Sequence, residues 1–354
     1  MSYGRVTLND GNKAPRIAFG AGSRVWKHED ATQYVRQALE AGFSHLDNAQ
    51  LYDNEEYVGA ALAASGTARE NVFITSKYSR GDVDAAIASS LSKLGVEYLD
   101  LYLIHHVMVI PEGQIPAVWA KMEAIRARGQ AKSIGVSNFG VPELQQILAS
   151  GTVVPAVNQI QLHPYNYHAL LPIIRFCGEC GIAIEAYSSL IPITRTPGGP
   201  LDPVLFRIAN RINGTPAQVI FAWLRFKGIM IVTTSGKVER LEEYLDVPNL
   251  PPLTEEEVRD IERAGRQGAA WYEARMGGAR SVKEVEAQVL HEPVRPGEAR
   301  MRGALTVFDD KSVDVEAQVL HEPTVRWRRV VLLGIATCSA VCLTLRAWNW
   351  MASW

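Results

Sequence analysis

Residues 45–52 read His45-Leu46-Asp47-Asn48-Ala49-Gln50-Leu51-Tyr52. His45–Asp47 has the look of a short strand, and a polar loop carrying a tyrosine follows it. Two other stretches end in the same way, Ile74-Thr75-Ser76-Lys77 and Leu103-Ile104-His105-His106. Each places an ionisable side chain where an apolar run stops. In a closed barrel of parallel strands, the C-terminal strand ends form one face. An Asp, a Tyr, a Lys and a His would then meet at one mouth.

Outward from these stretches, short apolar runs alternate with amphipathic segments over the first 265 residues. The strand-like runs are Ile17–Phe19, His45–Asp47, Val72–Thr75, Leu101–Ile104, Ser133–Val136, Ala156–Ile160, Ile182–Ala186 and Ile229–Val232. Most lack polar alternation, as expected for strands buried on both faces of a parallel sheet. Helical spacing marks Asp30–Ala41, Asp82–Leu94 and Ile115–Arg128, and each stops at a glycine, Gly42, Gly95 or Gly129. Thr215-Pro216-Ala217-Gln218 reads as an N-cap with proline at the first helical position. Eight strand–helix units close most simply into an α/β (β/α)8 TIM barrel. A Rossmann sheet is the alternative, but Gly20-Ala21-Gly22-Ser23 falls short of the dinucleotide fingerprint. Val6–Leu8 and the turn at Asn9-Asp10-Gly11-Asn12 predict an N-terminal β-hairpin plug.

The bulk numbers agree with an enzyme-sized globular domain. The chain has 354 residues, and 47% of them are hydrophobic, enough for a large core. A net charge of −2 gives no basic excess for nucleic acid. The first ten residues lack an apolar signal core, and four cysteines make no disulfide framework. A cytoplasmic catalytic domain, monomeric or weakly dimeric, is the expectation.

An Asp, a Tyr, a Lys and a His gathered together can handle a proton. Lysine beside a tyrosine favours the phenolate and lowers its pKa. Aspartate holds that lysine charged. The tyrosine can then protonate a carbonyl oxygen, while the histidine directs the oxygen or relays the proton. No zinc-ligand spacing is present. Each residue alone has a bland reading: a lone Asp is usually a cap, and a lone Tyr or His in a strand is usually core.

Together the motifs resemble the aldo-keto reductase superfamily, in its fungal-type NADP-dependent branch, over roughly residues 5–265. LDNAQLYDNEEYVG, ITSKYS and DLYLIHH carry the resemblance, and they imply Asp47, Tyr52, Lys77 and His105 as a catalytic tetrad. IGVSNFG implies Ser137 and Asn138 at the nicotinamide carboxamide, joined by Gln159 from VNQIQLHPY. EAYSSL implies Tyr187 stacking on the nicotinamide, with Ser188 and Leu190 near the diphosphate. IVTTSGKVER stands at the adenosine-phosphate site, where the family commonly has Pro-Lys-Ser and this chain has Thr233-Thr234-Ser235. Ser235, Lys237 and Arg240 remain to hold a 2′-phosphate, and Glu243 is expected at the adenine. The cofactor expected is NADPH, with NADH open because one cation is missing. Where the family often has Trp after the tetrad histidine, His106 follows here. Trp26, His106 and Tyr165 are expected in the substrate wall, with a small-molecule carbonyl as partner and no metal.

The competing reading is a nucleotide-binding barrel that serves as a scaffold or regulatory subunit with little turnover. Cys177-x-x-Cys180 supplies only two ligands and reads as structural. Past residue 265 the pattern changes. Residues 266–325 form an atypical extension in which VEAQVLHEP occurs at Val285–Pro293 and again at Val315–Pro323. Two copies are too few for a solenoid. Residues 326–354 form an apolar tail in which Val330–Leu345 carries no charge and arginines flank it. Membrane insertion through 330–350 is one reading. A docking helix and a mistranslated exon are the others, since the uncharged run spans only about 24 Å of a roughly 30 Å core.

Overall fold

The computed structural model describes residues 2–22 and 31–276. Trp26, the repeated VEAQVLHEP and the tail lie outside the described residues. A hairpin comes first, β1 (Arg5–Thr7) paired antiparallel with β2 (Lys13–Pro15). Strands and helices then alternate as β3 (Ile17–Gly20), α1 (Ala31–Ala41), β4 (His45–Asp47), α2 (Glu55–Ser65), β5 (Phe73–Tyr78) and α3 (Val83–Leu94). They continue as β6 (Leu99–Ile104), α4 (Ile115–Ala127), β7 (Ala131–Ser137), α5 (Val141–Ser150), β8 (Val157–Gln161), α6 (Pro164–Glu179) and β9 (Ala183–Tyr187). Next come α7 (Ile191–Thr194), α8 (Asp202–Ile212), α9 (Pro216–Phe226), β10 (Met230–Thr233), α10 (Val238–Leu245) and α11 (Glu255–Met276).

Strands β3 to β10 form a closed, all-parallel barrel in chain order, with β10 hydrogen-bonded back to β3. This is the (β/α)8 architecture that the alternation predicts. Local chemistry sets the element ends. Asp82 caps α3 by accepting from the backbone N–H groups of Asp84 and Ala85, and Gly95 ends the helix at φ 66°. Thr215 and Gln218 form a capping box at the start of α9. The hairpin closes one end of the barrel: Leu8 and Ala14 pack with Phe73, Leu101, Leu103, Val157 and Met230.

Side chains alternate along each strand. On β5, Phe73 joins that inner cluster, Thr75 meets His45, and Lys77 meets Asp47, while Ile74 joins the outer core under the helices. The strand therefore runs on through Lys77, beyond the apolar run at Val72–Thr75. A polar layer, buried on both sides, sits inside the barrel above the apolar one.

Helix α11 passes residue 265 without a break and packs along α6. Two glycines permit this approach. A Cβ on Gly265 would lie 2.2 Å from the Pro164 carbonyl oxygen, and one on Gly268 would lie 2.3 Å from the Tyr165 ring. No helix among the described residues is long and apolar enough to cross a membrane.

Candidate active site

The mouth of the barrel brings the four tetrad residues together. Asp47 closes β4, Lys77 lies near the end of β5, and His105 directly follows β6. Tyr52 ends a short 3-10 turn, Gln50–Tyr52. The Lys77 ammonium donates to Asp47 Oδ2 at 2.7 Å and to the Asn48 carbonyl at 2.8 Å, and lies 3.5 Å from the Tyr52 hydroxyl. Lys77 is fully buried. His105 packs edge-on to Tyr52 with ring centroids 5.6 Å apart.

Electrostatics correct one expectation. Burial raises the Tyr52 pKa above its ordinary value; Lys77 lowers it, and Asp47 raises it again. The net shift is upward, so Tyr52 is a phenol and not a phenolate. The physical reason is first the burial of the phenol, which outweighs Lys77, and then Asp47, which lies 2.7 Å from the lysine and offsets its charge. Burial alone would lower the Lys77 pKa, but Asp47, through its charge and its hydrogen bond, is the main opposing effect, the net shift is upward, and Lys77 stays charged. Burial, with help from Lys77 and His106, lowers the His105 pKa to about 3, so this ring is neutral near pH 7. Ser79 Oγ bonds His105 Nδ1 at 2.8 Å, and Gln50 Oε1 holds that loop by accepting from the Ser79 and Arg80 amides. The Ser79 contact leaves Nε2 as the ring atom for a ligand.

A second group lies beside the tetrad. Ser137 ends β7 and donates to the Gln159 carbonyl at 2.8 Å. Asn138, at φ 59°, donates through Nδ2 to the His105 carbonyl and to Ser137 Oγ. Tyr187 donates to Asn138 Oδ1 at 2.9 Å. Gln159 Nε2 donates to Asp47 Oδ1 at 2.9 Å and to Glu185 Oε2 at 2.7 Å. With both N–H bonds committed, the amide presents Oε1 as its remaining acceptor. Ser188, at φ 58°, and Leu190 lead into α7.

The loop after β10 carries Ser235, which is buried, and Lys237, which is exposed, and the first turn of α10 carries exposed Arg240. Neither cation has an ion-pair partner among the described residues. Two hydroxyls in the loops after β9 and β10, Ser189 Oγ and Thr234 Oγ1, are buried without a hydrogen-bond partner. Buried hydroxyls without a partner, and two cations without an ion pair among the described residues, suit a phosphate-bearing cofactor. The residues present therefore fit a nicotinamide dinucleotide.

One expectation changes, at Tyr165, and Glu243 and His106 have partners that the sequence does not show. One Glu243 carboxylate oxygen accepts from the Thr215 hydroxyl, which ties α10 to α9 and leaves the other oxygen for an adenine. Tyr165 is 1% exposed and lies under α11, stacked on Tyr272 with ring centroids 5.6 Å apart, so it is core and not substrate wall. His106 is half-buried and accepts from the Met108 amide, which makes it the cap of the turn Val107–Val109. Cys177 is buried, with its thiol pKa pushed up to about 12 by burial, in keeping with a structural role. Among the described residues no cluster could hold a metal ion.

The sequence reading missed Glu185, Ser79 and Gly22. Glu185 had a signal, a lone acid within the apolar run IAIEAY. Gly22 had none that points to Tyr52. A Cβ there would lie 2.7 Å from the tyrosine Cζ and 2.9 Å from its hydroxyl.

A closed parallel barrel with a proton-handling mouth and a polar clamp beside it defines a class of carbonyl-reducing barrel enzymes. The chain belongs to the aldo/keto reductase family, whose profile it matches over residues 16–266. It is 38% identical over 246 residues to an NAD/NADP-dependent indole-3-acetaldehyde reductase of Schizosaccharomyces pombe, covering 67% of this chain and 87% of that one. An NADPH-dependent alpha-keto amide reductase of Saccharomyces cerevisiae is 36% identical over 281 residues, covering 73% and 90%. Among solved structures, a Bombyx mori aldo-keto reductase in complex with NADP matches with a TM-score of 0.68 and 31% identity, covering 75% of this chain and 93% of that one.

Proposed function

We propose that this chain reduces an aldehyde or ketone to the alcohol, with Tyr52 giving the proton and NADPH the hydride. The observation that carries this reading is the buried line Asp47–Lys77–Tyr52, with neutral His105 against the tyrosine ring. When bound, the cofactor supplies hydride from the nicotinamide. The chain's own residues do the rest. His105 Nε2 directs the carbonyl oxygen toward the Tyr52 hydroxyl. Tyr52 protonates that oxygen as negative charge builds on it, a general-acid effect worth about 10²–10⁴-fold. Lys77 stabilises the phenolate left behind. Asp47 keeps the lysine charged and in place.

Ser137, Asn138 and Gln159 are the residues that would hold the carboxamide, with Tyr187 against the ring. Gln159 Oε1 and Asn138 Oδ1 are acceptors, which suits an amide NH₂. Ser235, Lys237 and Arg240 would hold the 2′-phosphate. NADPH is preferred on their account, and NADH use is broader than in a site that also has a lysine at 234. Lys237→Ala combined with Arg240→Ala should weaken NADPH binding about tenfold while leaving NADH nearly unchanged, read by fluorescence quenching. Equal losses for both cofactors would remove the phosphate assignment. A panel of aldehydes, ketones, keto esters and sugars, followed at NADPH absorbance with NADH in parallel, sorts the substrate class.

The catalytic unit is the barrel. A membrane role for residues 330–350 rests on sequence alone. A fusion carrying residues 324–354 that sediments with membranes and resists carbonate extraction supports an anchor, and a fusion that does not sediment rejects it.

A further inference from the structure

Glu185 is a carboxyl inside the barrel with no assigned work. It is completely buried in the middle of β9. Its Oε2 accepts from Gln159 Nε2 at 2.7 Å, and its Oε1 has no hydrogen-bond partner. The same Gln159 nitrogen donates to Asp47 Oδ1 at 2.9 Å. One amide therefore bridges two carboxyl groups. One of these is paired with Lys77, and the other has no cation within bonding distance among the described residues. The nearest candidate, His45 Nδ1, is 4.0 Å from Glu185 Oε1. That ring is neutral, since burial lowers its pKa to about 4.

Amide geometry follows from this bridge. A glutamine side chain can flip between two orientations that exchange N and O. Two carboxyl acceptors, one on each N–H, fix Gln159 with its nitrogen toward the barrel interior. Its oxygen is then the atom left for a ligand. With Asp47 alone, one N–H would be unpaired in a dry core, and the preference would weaken.

We propose that Glu185 is a positioning residue. Through Gln159 it fixes which amide atom meets the nicotinamide carboxamide, and it sets the charge balance around Asp47 and Lys77. This rests on the functional reading above and extends it to a residue that touches neither substrate nor cofactor. The groups facing Glu185 are His45 and Asp47 of β4, Lys77 of β5 and Gln159 of β8, and its neighbour on β10 is apolar Met230. Burial first, then the charge of Asp47, pushes its pKa up to about 8, against the opposing effects of Gln159 and Lys77. At neutral pH Glu185 is uncharged, its proton assigned to the unpartnered Oε1 so that Oε2 stays the acceptor for Gln159, and the buried group Asp47, Lys77, Glu185 is neutral overall. Above about pH 8 it gains a negative charge. Lys77 and Tyr52 then hold their protons more tightly, and Tyr52 becomes a weaker acid.

The test compares full-length wild type, Glu185→Gln and Glu185→Leu, with circular dichroism to confirm folding. Two readouts are used: the NADPH dissociation constant by fluorescence quenching, and the pH profile of kcat/KM for a reactive aldehyde. Glu185→Leu removes the acceptor and should weaken NADPH binding about tenfold. Glu185→Gln keeps an acceptor for Gln159 and removes the titration, so kcat/KM should stay level where the wild type falls above about pH 8. A folded Glu185→Leu that binds NADPH as wild type does would overturn the assignment. So would a Glu185→Gln profile identical to wild type, and this second variant decides the matter if Glu185→Leu does not fold. Wild type that fails to bind NADPH at all would overturn the functional reading, and this assignment with it.

Discussion

Lys77 is the residue on which the mouth depends. It is fully buried, and its charge is offset by Asp47 at 2.7 Å. Removing one partner of a buried pair leaves an uncompensated charge, a loss of about 3–5 kcal/mol. Lys77→Met should therefore lower stability by about that amount in urea unfolding and also abolish turnover. Adding Asp47→Asn to it should recover part of the stability and none of the turnover. A Lys77→Met protein of unchanged stability would contradict this pairing. Much of this site was legible in the sequence because of where the residues stand. Asp47, Lys77 and His105 each come at the end of an apolar run, and strand ends of a parallel barrel share one face. Their pKa directions were less legible. The opposing effects of Lys77 and Asp47 on Tyr52 can be named from sequence, but the burial that outweighs Lys77 depends on the packed mouth.

At the scale of elements, close approaches decide what the loops can do. Gly22 follows β3 and lies over Tyr52, while Asn54, just before α2, donates to the Ala21 carbonyl and holds this crossing in place. Gly22→Ala would put a methyl group where the tyrosine ring now lies. The ring or the loop must shift, and a misplacement of about 1 Å at a reacting group costs about 10²-fold. We expect kcat/KM to fall by about that factor with little change in thermal stability. Full activity in Gly22→Ala would show that the loop moves freely. Neither this contact nor the fate of Tyr165 could be read from the chain. Gly22 and Tyr52 are thirty residues apart, and glycine gives no periodic signal. Tyr165 follows a strand end and so reads as pocket wall, until α11 arrives about a hundred residues later and covers it. The bond from Thr215 to Glu243 is out of view in the chain for the same kind of reason, since Thr215 caps a different helix.

For the whole molecule, buried titratable groups in and around the barrel make stability depend on pH in two directions. His45, His105 and His163 are held neutral by burial, with pKa values lowered to about 4, 3 and 3. The unfolded chain takes up these protons first as pH falls below about 6.5. Stability is thus fully present above that value and is lost as pH falls toward about 3, at up to about 1.4 kcal/mol per histidine for each pH step crossed. Glu185 acts with the opposite sign. Its folded pKa is raised, so its contribution is fully present below the ordinary carboxylate range and is lost as pH rises toward about 8. Urea midpoints measured across about pH 3–9 should fall steeply on the acid side, and Glu185→Gln should gain on wild type between about pH 5 and 8. A midpoint independent of pH below about 6 would mean that the histidines are charged inside the fold. The proposed catalysis turns on Tyr52, a phenol held between Lys77 and His105, as the proton donor. The direct test is NADPH oxidation by the full-length chain with a reactive aldehyde, measured alongside Tyr52→Phe. Wild type should turn over, and Tyr52→Phe should lose at least about 10²-fold in kcat while still quenching with NADPH. Turnover in Tyr52→Phe at the wild-type rate would contradict a proton-donating role for this tyrosine.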